Sequence, residues 1–207
     1  MRVLPKRNGI AEKPHTDNKT KRMEKMNRYI AFLRGINING RNKIVMADLK
    51  SAFEQMNFFD VTTYLNSGNV LFSSNRDKVV EIRDAVEKRI VQSFGLEIPV
   101  YIISQEEISD ILSHAPAWWG TADKGTYDNL IFVMTSDTPN IICDMIGPPS
   151  EGLEMTQIYR NIIFWTFDRK EYQKCNWWKK TAREGIAEKL TIRTANTVRK
   201  LCHSGCS

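Results

Sequence analysis

An α+β fold, antiparallel sheets carrying helices on one face, is what this sequence predicts, and three observations predict it. Short β-prone runs alternate with helical stretches in the order strand, helix, strand, strand, helix, strand over residues 28–103. The middle two strands are joined by Asn66-Ser67-Gly68, a turn composition that brings antiparallel neighbours together. A similar order restarts near residue 128. The first of these orders is that of the ferredoxin-like plait, an antiparallel sheet with two helices on one face. The chain therefore reads as two ferredoxin-like domains in tandem, residues 26–103 and 104–207, behind a segment 1–25 of different character.

Each element has its own signal. Arg28–Arg34 (RYIAFLR) is aromatic and apolar, a strand buried on at least one side. In Val45–Met56, Val45, Leu49, Phe53 and Met56 fall on one helical face. Val61–Leu65 and Asn69–Ser73 form the hairpin. Val79, Ile82, Val86, Ile90 and Phe94 recur every three or four residues, and Gly95 is placed to stop that helix. Ile98–Ile103 is the strand that completes the first half. Ser104-Gln-Glu-Glu107 is a capping box opening a short helix through Ile108, Ile111 and Leu112. Pro116–Tyr127, with Trp118-Trp119-Gly120, reads as a loop before the strand Asp128–Met134. Thr138-Pro139 has the form of an N-cap with proline at the first helical position. Met155–Tyr159 and Ile162–Phe167 read as a hairpin around Arg160-Asn161, and one or two helices close the chain between Trp177 and Leu201.

Hydrophobic types make up 42% of the 207 residues and DEKR types 26%, a mix that buries a core and excludes a disordered or collagenous chain. No apolar run approaches the ~20 residues of a membrane helix, and the first 25 residues hold no apolar signal region. Four scattered cysteines argue for a reducing compartment rather than a disulfide scaffold, so the expected location is the cytoplasm. Cys202-His203-Ser204-Gly205-Cys206 gathers three soft-metal ligands without a fourth, and neither a metal nor a cofactor is expected. The net charge of +6 is unevenly spread: +5 over residues 1–25, −5 over 26–167 and +6 over 168–207. Residues 1–25 show no period of 3.6 or 2 and read as a disordered basic tail, with Met26 an alternative start.

Three polar clusters interrupt apolar segments: Arg34–Gly40, Asn66–Asn69 and Thr191–Thr197. In a plait, strands one and three are central neighbours, so the first two clusters should meet at one sheet edge. Arg34 beside the bare backbone of Gly35 suits a phosphate or carboxylate, and Gly68 adds an approachable N–H. The same residues also suit tight turns of positive φ. The expected ligand is an anionic small molecule such as a nucleotide, in a cleft between the two domains. Arg34, Gly35, Asn37, Ser67, Gly68 and Asn69 would line it, with Arg193 and Asn196 from the second domain.

Gly35-x4-Gly40-Arg41-Asn42 is not a P-loop, because it lacks the Lys and the Ser/Thr that hold phosphate and magnesium. The three histidines, His15, His114 and His203, have no sequence pattern of a triad, and no catalytic set is legible. Arg169–Arg183 interleaves cations with aromatics, so a single-stranded nucleic-acid surface of Tyr172, Trp177, Trp178, Lys179 and Lys180 is a second reading. A protein-interaction loop at Trp118-Trp119 is a third.

Leu33-Arg34-Gly35-Ile36-Asn37, Thr63–Val70 (TYLNSGNV) and the Thr191–Thr197 stretch resemble the signature segments of the uncharacterised bacterial family known as domain of unknown function 1697. The resemblance spans residues 26–201. Ile38-Asn39-Gly40 stands where the family has Val-Gly-Gly, and Thr194 stands where it has Asn. It implies two ferredoxin-like domains and a cytoplasmic bacterial protein, with no reaction, substrate or cofactor attached.

Overall fold

The computed structural model describes residues 26–204. The readings placed on residues 1–25 and on Cys206 lie outside the described residues. The chain runs β1 (Asn27–Leu33), α1 (Met46–Glu54), β2 (Phe59–Tyr64), β3 (Asn69–Ser74), α2 (Val79–Phe94), β4 (Val100–Ser104) and α3 (Gln105–Ser113). It continues β5 (Thr126–Val133), α4 (Pro139–Ile146), β6 (Glu154–Tyr159), β7 (Ile162–Asp168), α5 (Asn176–Thr181), β8 (Leu190–Thr194) and α6 (Ala195–His203). Two four-stranded antiparallel sheets result, ordered β2-β3-β1-β4 and β6-β7-β5-β8.

The local signals act where they were read. Ser104 Oγ accepts from Glu107 N at 3.0 Å and so opens α3. Thr138 caps α4 through Ile141 N, with Pro139 following. Gly95 closes α2 at φ +66°. The end of the chain differs from the expectation of helices alone, because Leu190–Thr194 is a strand, β8, beside β5. Leu190, Thr191 and Ile192 are β-prone, but a five-residue strand running straight into a helix gives no periodic window of its own.

The layering also departs from helices on one face and water on the other. On its outer face the first sheet places Tyr29, Ala31, Leu33, Val70 and Phe72 against α1 and α2. On its inner face Ile30, Phe32, Leu71 and Ile103 meet Leu130, Phe132, Ile162 and Phe164 of the second sheet, with α3 and α6 filling the same layer. The second sheet's outer face holds Ile131, Ile163 and Trp165 against Ile142, Ile146 and Trp177. Phe32 and Phe132 touch across the middle with ring centroids 4.8 Å apart. Each such phenylalanine contributes about 1.5–3 kcal/mol by leaving water. This explains why the central strands lack polar alternation: a strand covered on both faces reads as an unbroken apolar run. The space between the halves is core, and the expected cleft there is filled.

Candidate functional site

The first two motif clusters do meet at one sheet edge. Leu33 N donates to Gly68 O at 2.7 Å, closing the end of β1 onto the start of β3. Gly68 has φ +77°, and a Cβ there would lie 2.7 Å from Leu33 Cβ, so no larger residue fits. Asn37 also has positive φ, and its side chain is fully used. Its Oδ1 accepts from Ile44 N, while its Nδ2 donates to Ile44 O and Asn66 O. Asn69 is wholly buried and donates to Tyr64 O and Ser67 Oγ.

Arg193 enters this edge from the second half, and its guanidinium is saturated. Nε donates to Asn69 Oδ1 at 2.6 Å. Nη2 donates to Leu33 O at 2.7 Å and Ser67 O at 3.2 Å. Nη1 donates to Thr191 Oγ1 and Ile192 O, both at 2.9 Å. The cation lies 5.1 Å from the centre of the Phe32 ring. Burial pulls its pKa down to about 10, so it stays charged at neutral pH with neutral acceptors on every side. Arg34 makes the reciprocal crossing, Nε to Ala187 O at 3.0 Å. Arg34, Gly35, Asn37, Ser67, Gly68, Asn69 and Arg193 are thus gathered at one place, where their polar groups clasp the two halves together. Asn196 lies elsewhere, exposed at the start of α6.

The other two sequence readings are corrected in the same way. Trp119 is buried, donates from Nε1 to Asn129 O at 2.8 Å and meets Phe164 edge-on, while Trp118 is half-buried against the same core. The Trp118-Trp119 loop is therefore part of the interior rather than an exposed apolar surface. Trp177 is buried too, with Nε1 on Gly147 O at 3.0 Å. Lys180 Nζ donates to Ile146 O, so neither faces a nucleic acid. Lys179 is exposed, and Tyr172 and Trp178 border a cavity.

That cavity lies at the open end of the second sheet. It encloses about 630 Å³ between Tyr127, Asn129, Phe167, Arg169, Tyr172, Trp178 and Thr194. Strand pairing sets Tyr127 opposite Phe167, and their rings stack at 5.5 Å. Trp178 leans on Phe167 at 5.3 Å and meets Tyr172 edge-on at 5.0 Å. Trp178 is 44% exposed, whereas the Tyr127 ring has Phe167 stacked against it and Arg169 over it. The Arg169 guanidinium lies 4.2 Å over the Tyr127 ring and forms no ion pair among the described residues.

A second, polar cavity of about 410 Å³ adjoins it and shares Tyr127, Arg169 and Thr194. It adds Lys124, Asp128, Ala195 and Asn196 from the Gly120–Gly125 loop, β5 and the first turn of α6. Thr194 caps α6 through Thr197 N. The next backbone amides are those that a helix leaves without intrahelical partners. Of the residues around the two cavities, the sequence places Tyr172 and Trp178 together in the nucleic-acid surface and Asn196 in the anion site. It points to Arg169 only as the start of the basic and aromatic segment and misses Tyr127 and Asn129, although the polar Tyr127-Asp128-Asn129 start of an apolar strand is a readable signal.

Elsewhere, burial and the neighbouring Glu154 carboxylate push the Cys175 thiol up to about 11, which makes it inert at neutral pH. Ser113, His114, Asp110, Tyr159 and Arg160 form an exposed cluster, with Tyr159 Oη on Asp110 Oδ2 at 3.1 Å and Arg160 on the same oxygen at 3.0 Å. His114 stacks on Tyr159 at 4.5 Å, tying α3 to the β6–β7 turn. No three potential metal ligands cluster among the described residues, and no described helix is long and apolar enough to cross a membrane.

These features define a mixed α+β protein of two facing antiparallel sheets, with a paired aromatic and polar cavity at the end of the second. The chain belongs to the family described as "Protein of unknown function (DUF1697)", whose model matches residues 26–164. It is similar to the conserved bacterial protein SP0830 of Streptococcus pneumoniae, with 26% identity and a TM-score of 0.75 over 86% of this chain and 98% of that one. An unknown protein of Galdieria sulphuraria, 12% identical over 82% of this chain and 98% of that one, aligns at a TM-score of 0.27. No curated protein matches the chain.

Proposed function

We propose that the protein binds a nucleotide-like small anion at the end of the second sheet rather than between its halves. The observation that carries this reading is Arg169, a cation without an ion-pair partner among the described residues, stacked on Tyr127 near the half-exposed Trp178 at the junction of an aromatic and a polar cavity. A planar ring would stack in the aromatic cavity, as bases do on exposed tryptophan and tyrosine. Its phosphate would reach Arg169, Lys124 and the first turn of α6, where helix amides and dipole favour an anion. In this reading each half is a ferredoxin-like plait, supported by the shared strand order of the two sheets, with domain limits at residues 26–103 and 104–207. The protein works in the cytoplasm, as the free thiols of Cys143 and Cys175 suit a reducing compartment.

The test is a titration of AMP, followed by tryptophan fluorescence and repeated with Arg169→Ala. AMP should quench the wild-type signal at saturation, and Arg169→Ala should weaken affinity about tenfold or more. An unchanged spectrum with millimolar AMP, or an Arg169→Ala protein of equal affinity, sinks the proposal. The exposure of Trp178 also favours a second reading, single-stranded RNA, which would bind more tightly than AMP with an affinity falling steeply with salt.

A further inference from the structure

We infer that the free edge of β6 pairs with β6 of a second copy of this chain, antiparallel and around a twofold axis at Gln157. The inference is independent of the ligand reading above. The two sheets end in four edge strands, β2, β4, β6 and β8. An exposed edge is a template for another strand, and proteins guard it with prolines, bulges or charges. β2 carries such a bulge, a register shift between Phe59 and Thr62 with Asp60 at φ +49°. β4 begins behind Pro99, and Glu87 of α2 accepts from Val100 N at 2.8 Å. β8 contains Arg193, whose Nη1 donates back to Ile192 O. β6 (EMTQIY) has no proline, no lysine and six unbroken pairs with β7.

The direction of each backbone group on β6 follows from its turn. Two residues, Arg160-Asn161, join Tyr159 to Ile162, so those flanking residues hydrogen-bond to each other. Gln157 and Met155, at alternate positions, face β7 likewise, and the series ends where Asp168 N donates to Leu153 O at 2.9 Å. Thr156 and Ile158 therefore turn N–H and C=O away from the sheet, where they meet no protein group among the described residues. With Gln157 opposite itself, Thr156 of each copy falls opposite Ile158 of the other, and every one of these groups is paired. Centring the pair on Thr156 instead would set Ile158 against Glu154, whose N–H already goes to Ser150 O. In the Gln157 register Met155, 45% exposed, lies across from Tyr159, whose hydroxyl Asp110 holds in place. Thioether sulfur favours aromatic ring edges. Glu154, the one charged residue of β6, falls opposite Arg160, so like charges do not meet.

Sedimentation equilibrium of the full chain over a concentration series tests this, with melting temperatures recorded for each variant. Strand-edge contacts are small, so the dimer should form in the micromolar range, the apparent mass climbing from one chain toward two. Thr156→Pro removes an outward N–H while sparing every bond to β7, and should hold the protein monomeric with a near-unchanged melting temperature. Met155→Lys supplies the guard that β6 lacks and should weaken association about tenfold or more. It keeps the test decisive should the proline variant fail to fold. Under mild oxidation Gln157→Cys should give a chain-to-chain disulfide absent from the wild type, because a non-hydrogen-bonded pair sets its Cα atoms about 4.5 Å apart. A wild type that stays monomeric throughout overturns the inference. So does a dimer undiminished in a folded Thr156→Pro or Met155→Lys protein, or one that Gln157→Cys fails to cross-link.

Discussion

Arg193→Met removes the guanidinium that joins the two halves and keeps the length of the side chain. Leu33 O and the fully buried Asn69 Oδ1 lose a charged donor, while the carbonyl of Ser67 lies near the surface and regains water. A stranded buried acceptor costs about 1–3 kcal/mol. Removing a buried cation also returns part of its desolvation cost, a few kcal/mol in the opposite direction. Two stranded acceptors together cost about 2–6 kcal/mol, and with part of the desolvation returned the net loss is about 2 kcal/mol, a drop in melting temperature of roughly 4–8 °C for a chain of this size. Urea unfolding followed by tryptophan fluorescence measures it, with the slope against urea unchanged because the surface exposed is the same. Arg193→Lys should lose most of this stability too, since one ammonium with three donors cannot span acceptors that a rigid fork reaches together. A double-mutant cycle with Asn69→Ala should return a coupling of about 1.5–3 kcal/mol. A loss below ~0.5 kcal/mol in Arg193→Met, the scatter of such measurements, would show that the shared core holds the halves unaided and that the clasp is incidental.

Three further outcomes follow from geometry. Gly68→Ala forces a Cβ against Leu33 and Ile36 at φ +77°, and unfolding in urea should register a loss of about 2–4 kcal/mol; a near-neutral result would mean that the turn relaxes freely. Leu65 is an exposed leucine held at φ +56°, so Leu65→Asn should raise the melting temperature by relieving about 1 kcal/mol of backbone strain, and a lowered one counts against the strain. Cys175 keeps its proton to about 11 in the folded chain against an ordinary value near 9, so its contribution is complete below pH 9 and lost as pH rises to 11. The urea midpoint should fall across that window more steeply in the wild type than in Cys175→Ala, and parallel slopes would refute the assignment.

Local chemistry was legible wherever a few neighbouring residues decide the outcome. The Ser104 and Thr138 caps, the Gly95 stop and the Asn66-Ser67-Gly68 turn each depend on a handful of positions, and each forms. The meeting of the Arg34 and Asn66 clusters was legible from strand order alone, because topology places the end of β1 beside the start of β3. What filled that place was not. Arg193 meets Leu33 and Asn69 from a distant part of the chain, and no local pattern tells a guanidinium that clasps carbonyls from one that waits for a phosphate. The cavity was half legible: Arg169 opens the basic and aromatic segment that drew notice, but its partners Tyr127 and Asn129 lie on another strand. Trp177 and Trp178, identical neighbours in sequence, part company because consecutive positions on α5 point about 100° apart, one inward and one toward the surface.

The middle layer makes neither half complete without the other. A fragment ending at Ser104 would expose Ile30, Phe32, Leu71 and Ile103 together, an apolar sheet surface of the kind that drives subunits to pair. The molecule is in effect a permanent dimer of unlike subunits written as one gene, so heat or urea should melt it in a single transition. Its two sheets also constrain each other's future: a change of volume at Phe32 must be answered at Phe132, and the halves can drift in sequence only in step.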